Sequence, residues 1–145
     1  GLGINSEFTN VTDKEIGLSK RAEIANEFCK KQSCILISIH CNAAGDGKTW
    51  TTANGWEVWT TEAKNNSDKL AQCFLDAYKE VIPDRKLRGH KEKNFTVLYK
   101  TNCPCVLTEN FFMDNKEECE YLLSEKGMED ITNLHINAIL KYINL

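Results

Sequence analysis

Ile37-Ser38-Ile39-His40-Cys41-Asn42-Ala43 ends an apolar run that starts at Cys34, and Cys105-Val106-Leu107-Thr108-Glu109-Asn110 repeats the pattern further along. Each reads as a buried strand whose C-terminal end carries one side chain able to do chemistry. The first presents an imidazole and the second a carboxylate. A run that is apolar at both parities is the mark of a parallel strand covered on both faces. In open α/β sheets, ligands bind outside the carboxyl ends of the strands. A histidine and a glutamate converging on that edge predict metal-assisted hydrolysis, with His40 on the metal and Glu109 carrying protons. A catalytic zinc normally takes three protein ligands. This sequence offers one in a convincing context.

Working outward, Leu18, Ala22, Ala25 and Cys29 recur at helical spacing and predict an amphipathic helix over 18–31. Residues 5–9 read as a short strand. Residues 44–54 are polar and glycine-bearing, as an exposed loop would be. Residues 55–61 alternate and read as a strand. A second helix is expected over 67–81, with Ser67 as its N-cap and Pro83 beyond its end. Residues 95–100 and 104–109 read as two strands around a short turn. So short a connection implies an antiparallel pair, because a parallel crossover needs a dozen or more residues. Helices are expected over 116–123 and 129–143. Strands alternating with helices predict one α/β domain spanning 1–145, with a twisted, mainly parallel sheet flanked by helices.

Composition sets limits. The chain has 145 residues, 41% hydrophobic and 27% charged, with a net charge of −3. That balance gives no general attraction to nucleic acid, and no basic stripe with interleaved aromatics is present. The longest apolar run, 34–39, is far too short to span a bilayer, so no membrane insertion is expected. No signal-peptide pattern is visible at the start. The seven cysteines are an odd number, and several fall inside periodic apolar segments. They read as free, buried thiols packing as small hydrophobes. Cys103-Pro104-Cys105 has the spacing of neither a redox pair nor a zinc knuckle.

Five segments in order carry a family resemblance: Leu18-Ser-Lys-Arg21-Ala22-Glu-Ile-Ala25-Asn26, Ile37-Ser-Ile-His40-Cys-Asn42-Ala43, Gly55-Trp-Glu57-Val, Phe95-Thr-Val97-Leu98 and Pro104-Cys-Val-Leu107-Thr-Glu109. The series resembles the zinc-dependent N-acetylmuramoyl-L-alanine amidases of the autolysin and phage endolysin type, over about residue 9 to the C-terminus. The resemblance implies hydrolysis of the amide between the lactyl group of N-acetylmuramic acid and L-alanine of the peptide stem. It places His40 as the last zinc-ligating histidine and Glu109 as the catalytic glutamate. Asn42 matches the pattern too, with no role assigned. Zinc is the implied cofactor and peptidoglycan the implied partner. The implied location is the cell wall, periplasm or exterior of a bacterium, or a phage lysin.

The family opens with a strand ending in Gly-His-Gly, then a helix-starting glutamate. Those two residues are the first two zinc ligands. No histidine precedes Leu18 here, and Glu7 and Glu15 are misplaced relative to the Arg21-Ala22 helix. The expectation is therefore the larger, C-terminal part of the domain, lacking its opening strand and helix. An alternative is a metal-free, non-catalytic module on the same scaffold that binds wall fragments or a partner. Self-association through an exposed sheet edge is a further expectation.

The other chemically able residues have plainer readings. His135 should be structural or at the surface, beside an apolar stripe. His90 follows Arg88-Gly89 in what reads as a charged loop. Cys41 should point away from His40 along an extended chain. Cys105 shares a face with Glu109 and reads as a packing residue. Trp56 and Trp59 have opposite parity, while Trp50 lies in the polar loop, where it could meet a glycan.

Overall fold

The two apolar runs form neighbouring parallel strands. β1 (Leu36–Asn42) pairs with β4 (Cys105–Phe112), and β4 also pairs antiparallel with β2 (Trp56–Thr60). β3 (Leu87–Glu92) runs parallel to β2 and completes a four-stranded sheet of order β1-β4-β2-β3. This computed structural model describes residues 3–10 and 14–144. α1 (Leu18–Cys29) precedes β1, α2 (Asn66–Val81) joins β2 to β3, and the short α3 (Thr96–Tyr99) lies between β3 and β4. α4 (Lys116–Leu123) and α5 (Glu125–Ile143) close the chain.

The sheet separates two apolar layers. On one face Trp56, Val58 and Val106 pack with Leu70, Phe74, Ala77 and Tyr78 of α2 and with Leu134 and Ala138 of α5. Trp56 is fully buried, with its ring centroid 5.1 Å from that of Tyr78 and 6.3 Å from that of Phe74. On the other face Val97 and Leu98 of α3 pack with Cys105, Leu107, Leu36, Trp59 and Phe95. The opposite parity of Trp56 and Trp59 thus sends them into different layers. His135 sits in the first layer. It donates from Nδ1 to the Ile131 carbonyl at 2.8 Å, and its Nε2 lies 3.1 Å from the Thr108 hydroxyl, so it is structural.

Several expectations are corrected. Residues 5–9 form no strand. Residues 95–100, expected as a strand from their aromatic and β-branched content, instead hold the single helical turn of α3, which lays Val97 and Leu98 onto the sheet. The antiparallel pair is therefore β2 with β4. The charged stretch around His90 is the edge strand β3. α2 is capped by Asn65, not Ser67: the Asn65 side chain accepts from the Ser67 amide at 2.7 Å, and Asp68 accepts from the Asn65 amide at 2.9 Å. α5 starts at Glu125, where Ser124 caps it and accepts from the Gly127 amide. Cys29 and Cys34 are joined in a disulfide and are not free thiols. Asn26, one turn before Cys29, docks that end of α1 onto the chain before β4. It donates to the Lys100 carbonyl at 2.8 Å and accepts from the Asn102 amide at 2.8 Å.

A break in the β1–β4 register follows the pair His40–Glu109, so that Asn42 next faces Phe112. Phe111 takes up the extra residue with a φ of 64°, the left-handed region that bulky side chains rarely occupy. The result is that Asn110 and Phe111 are both buried, directly after Glu109. Asn110 then ties three strands together. It donates to the His40 carbonyl at 2.9 Å and accepts from the Trp56 indole at 2.8 Å. Substituting alanine leaves the buried Trp56 indole N–H and the part-buried His40 carbonyl unpaired, each worth up to about 1–3 kcal/mol. Asn110→Ala should therefore lose roughly 2–4 kcal/mol in urea unfolding. A loss below about 1 kcal/mol would mean that the strands hold their register without it.

Candidate functional site

Register, not proximity in sequence, builds the site. His40 of β1 lies opposite Glu109 of β4, and Glu109 lies opposite Glu57 of β2. Residues in register on adjacent strands share a face and lie about 4.8 Å apart from strand to strand. An imidazole and two carboxylates therefore form one row across three strands. His40 and Glu109 stand out in the sequence at the ends of the apolar runs, whereas Glu57 sits within the Gly55-Trp-Glu57-Val motif with nothing local to mark its role.

Glu57 is 2% exposed and is held by four donors. Arg88 Nε and Lys91 Nζ of β3 reach Oε2 at 2.5 and 2.6 Å, while Asn42 Nδ2 and Trp59 Nε1 reach Oε1 at 3.0 and 3.1 Å. Burial pushes the Glu57 carboxyl up, but Lys91 and Arg88 outweigh it and keep the group below its ordinary value. It stays ionised. Asn42 thus belongs to the site through Glu57. It also accepts from the Ala43 amide at 2.9 Å, which fixes its amide orientation.

Glu109 is the opposite case. Its Oε2 is buried and has no hydrogen-bond partner among the described residues. Burial, and then the negative charge of Glu57, raise its pKa to about 7. A carboxyl with that value can accept and release a proton near neutrality, which general acid–base catalysis requires. The pairing of one clamped, ionised carboxylate with one raised neighbour separates two chemically identical groups by environment alone.

His40 is exposed, with Nε2 2.8 Å from the Ser38 hydroxyl. Burial of part of the ring and the nearby Arg21 charge lower its pKa, which favours the neutral imidazole that ligates metals. β1 is an edge strand, and Ile39 beside His40 is 61% exposed. Cys41 is also exposed. Its thiol is pushed up by burial and by Glu109, which makes it a poor nucleophile.

The remaining residues stand apart. His90 pairs in register with Val58, on the face opposite Glu57. Its Nε2 is 2.7 Å from Thr60 Oγ1 and 3.8 Å from Asp68 Oδ1. Cys105 is buried under α3, with its thiol 3.4 Å from the Leu98 carbonyl. Trp50 is exposed in the loop after β1. That loop is ordered by Asp114, which accepts from the Ala44 and Gly45 amides at 2.8 and 2.7 Å. A cavity of about 690 Å³ between Arg85, Tyr121 and Asp130 includes none of the row in its lining.

Among the described residues, two clusters of three could hold a cation: Cys29, Cys34 and Cys103, and Asp68, His90 and Glu92. Neither contains His40 or Glu109. One neutral imidazole beside an orphaned carboxyl oxygen is part of a donor set. It does not make the three protein ligands of a catalytic zinc site.

Glu109 also leaves a signature in stability. Its folded value, about 7, lies above the ordinary 4.5. The folded state therefore prefers the protonated form. That contribution is fully present below about pH 4.5 and is lost as pH rises through about 7. Glu109→Gln removes the titration. The variant should match the parent near pH 4 and exceed it above pH 8, by on the order of 1–3 kcal/mol in thermal or urea unfolding. Equal offsets at both pH values would show that Glu109 titrates as an ordinary carboxyl.

Comparison with known proteins agrees with the resemblance read from the motifs. The sequence model of a family described as N-acetylmuramoyl-L-alanine amidase matches residues 2–141. The endolysin of Bacillus phage SPP1 is 31% identical over 141 residues, covering 96% of this chain and 50% of the endolysin. The N-acetylmuramoyl-L-alanine amidase CwlM of Bacillus licheniformis is 28% identical over 137 residues, covering 94% of this chain and 50% of that protein. The chain thus spans about half the length of the curated relatives it matches. The crystal structure of an N-acetylmuramoyl-L-alanine amidase from Clostridium difficile 630 superposes with a TM-score of 0.81 at 31% identity, covering 91% of this chain and 68% of that one. This chain belongs to the N-acetylmuramoyl-L-alanine amidase family.

Proposed function

We propose that this chain supplies the proton-carrying part of a peptidoglycan amidase that hydrolyses the bond between N-acetylmuramic acid and L-alanine. The observation that supports this most is Glu109, a half-buried carboxyl whose buried Oε2 has no hydrogen-bond partner among the described residues, raised to about 7 and in register with His40. In this reading Glu109 takes the proton of the attacking water and passes it to the departing amine of L-alanine. Glu57 remains anionic, and burial together with that charge keeps the proton affinity of Glu109 high. Arg88 and Lys91 hold Glu57 in place.

His40 would supply one imidazole to the zinc on which the family generally depends. The other ligands are not found among the described residues. The substrate is then the bacterial cell wall, met outside the membrane by an autolysin or by a lysin. Among the described residues no helix is long and apolar enough to cross a membrane.

The incomplete ligand set also favours a second reading, a wall-binding module without catalysis. One assay separates the two. Applied to purified cell walls with zinc present, the protein at its natural length should release L-alanine amino termini. Glu109→Gln should cut that rate about 10²–10⁴-fold while wall binding persists. Release unaffected by Glu109→Gln would remove Glu109 from the chemistry. Binding without release by the parent would favour the module.

A further inference from the structure

Three sulfurs from three separate segments meet at the end of the sheet away from the carboxylate row. Cys29 is the last residue of α1, Cys34 lies in the turn before β1, and Cys103 lies in the loop before β4. The three Sγ atoms are all within 4.8 Å of one another, and all three residues are half-buried. Cys103 is a free thiol beside the Cys29–Cys34 disulfide. The strand pair Leu36–Cys105 marks this end, four residues along β1 from His40–Glu109, or about 13 Å. The cluster is therefore separate from the site described above.

The backbone holds these segments in place. Asn26 binds the Lys100 carbonyl and the Asn102 amide, immediately before Cys103. The Leu36 amide donates to the Pro104 carbonyl at 3.0 Å, immediately after it. Cys103 is thus fixed on both sides against the end of α1 and the start of β1. Cys29 and Cys34 are separated by four residues, within the usual ligand spacing of thiolate zinc sites. A tetrahedral ion with metal–sulfur bonds of about 2.3 Å sets its sulfurs about 3.7 Å apart. Opening the disulfide and separating its two sulfurs modestly produces that triangle. Burial pushes the Cys103 thiol up, while its own backbone amide and that of Leu36 pull it back towards the thiolate.

We propose that Cys29, Cys34 and Cys103 form a three-thiolate site for a soft divalent cation, Zn²⁺ or Cd²⁺, which opens when the Cys29–Cys34 disulfide is reduced. A dithiol reductant gives two electrons and two protons to the disulfide and leaves as its own disulfide, giving the Cys29 and Cys34 thiols. Binding of the cation then displaces the three thiol protons to solvent and forms three metal–sulfur bonds, with water in the fourth position. Oxidation to the disulfide removes two of the three ligands and closes the site.

Cd²⁺ titration followed by thiolate-to-metal charge-transfer absorption tests this without reference to activity. The reduced chain should bind one Cd²⁺ with that absorption, and the chain with the Cys29–Cys34 bond intact should not. Cys103→Ser, reduced, should bind at least about tenfold more weakly. Cys119→Ser, which leaves the cluster whole, should bind as the parent does. Absorption in the oxidised chain equal to that of the reduced one overturns the proposal, as does loss of binding in Cys119→Ser but not in Cys103→Ser. A reduced chain that takes up no Cd²⁺, with oxidation linking Cys103 to Cys29 or Cys34, would overturn it in favour of thiol exchange.

Discussion

Two carboxylates in register on neighbouring strands cannot both carry a full charge cheaply. The chemistry of this chain follows from how that conflict is settled. Glu57 and Glu109 face each other across β2 and β4. Four donors converge on Glu57, two of them cations, and none of the described residues donates to Glu109. The charge settles on Glu57 and the proton on Glu109. Removing Arg88 and Lys91 would weaken the distinction and leave it to the neutral donors Asn42 and Trp59, because the two carboxyls have the same intrinsic acidity.

The fold exists in large part to hold that arrangement. β3 is an edge strand with little apolar content, yet it supplies both cations. Gly55, just before β2, has a φ of 109°, and a Cβ there would lie 2.9 Å from the Lys86 carbonyl and 2.8 Å from Arg88 Cγ. Only glycine lets β2 enter so close to β3. Glu118 of α4 accepts from the Gly55 amide at 2.7 Å and the Phe112 amide at 2.8 Å. It thereby links the entry of β2 to the end of β4. The irregularity at Phe111 allows Glu109 to face the site while the next two residues face inward.

Much of this was legible in the sequence, and the remainder was hidden for physical reasons. β4 showed as a continuous apolar run because it is buried between the two apolar layers. β1 showed through Ile35, Leu36 and Ile37, which pack against those layers although the end of the strand is exposed; the family motifs lay on both. β3 did not show, because Leu87-Arg-Gly-His-Lys-Glu92 spends its side chains on charge placement and not on packing. α3 was misread because one helical turn is too short for a 3.6-residue period to appear, and Phe95, Val97 and Tyr99 suit a strand by type. His40 and Glu109 were visible at strand ends. The role of Glu57 needed the β2–β4 register, which nothing local to Gly55-Trp56-Glu57 encodes. The Cys29–Cys34 bond was missed because Cys29 also fits the apolar stripe of α1.

The most direct test of this account is the pKa of the Glu109 side-chain carboxyl, followed by carbon-13 NMR in the parent chain and in Glu57→Gln. The account predicts a midpoint of about 7 in the parent. It predicts a lower midpoint once the facing charge is gone and Arg88 and Lys91 are left uncompensated, with burial keeping the rest of the shift. A midpoint near the ordinary 4.5 in the parent, unchanged by Glu57→Gln, would contradict it.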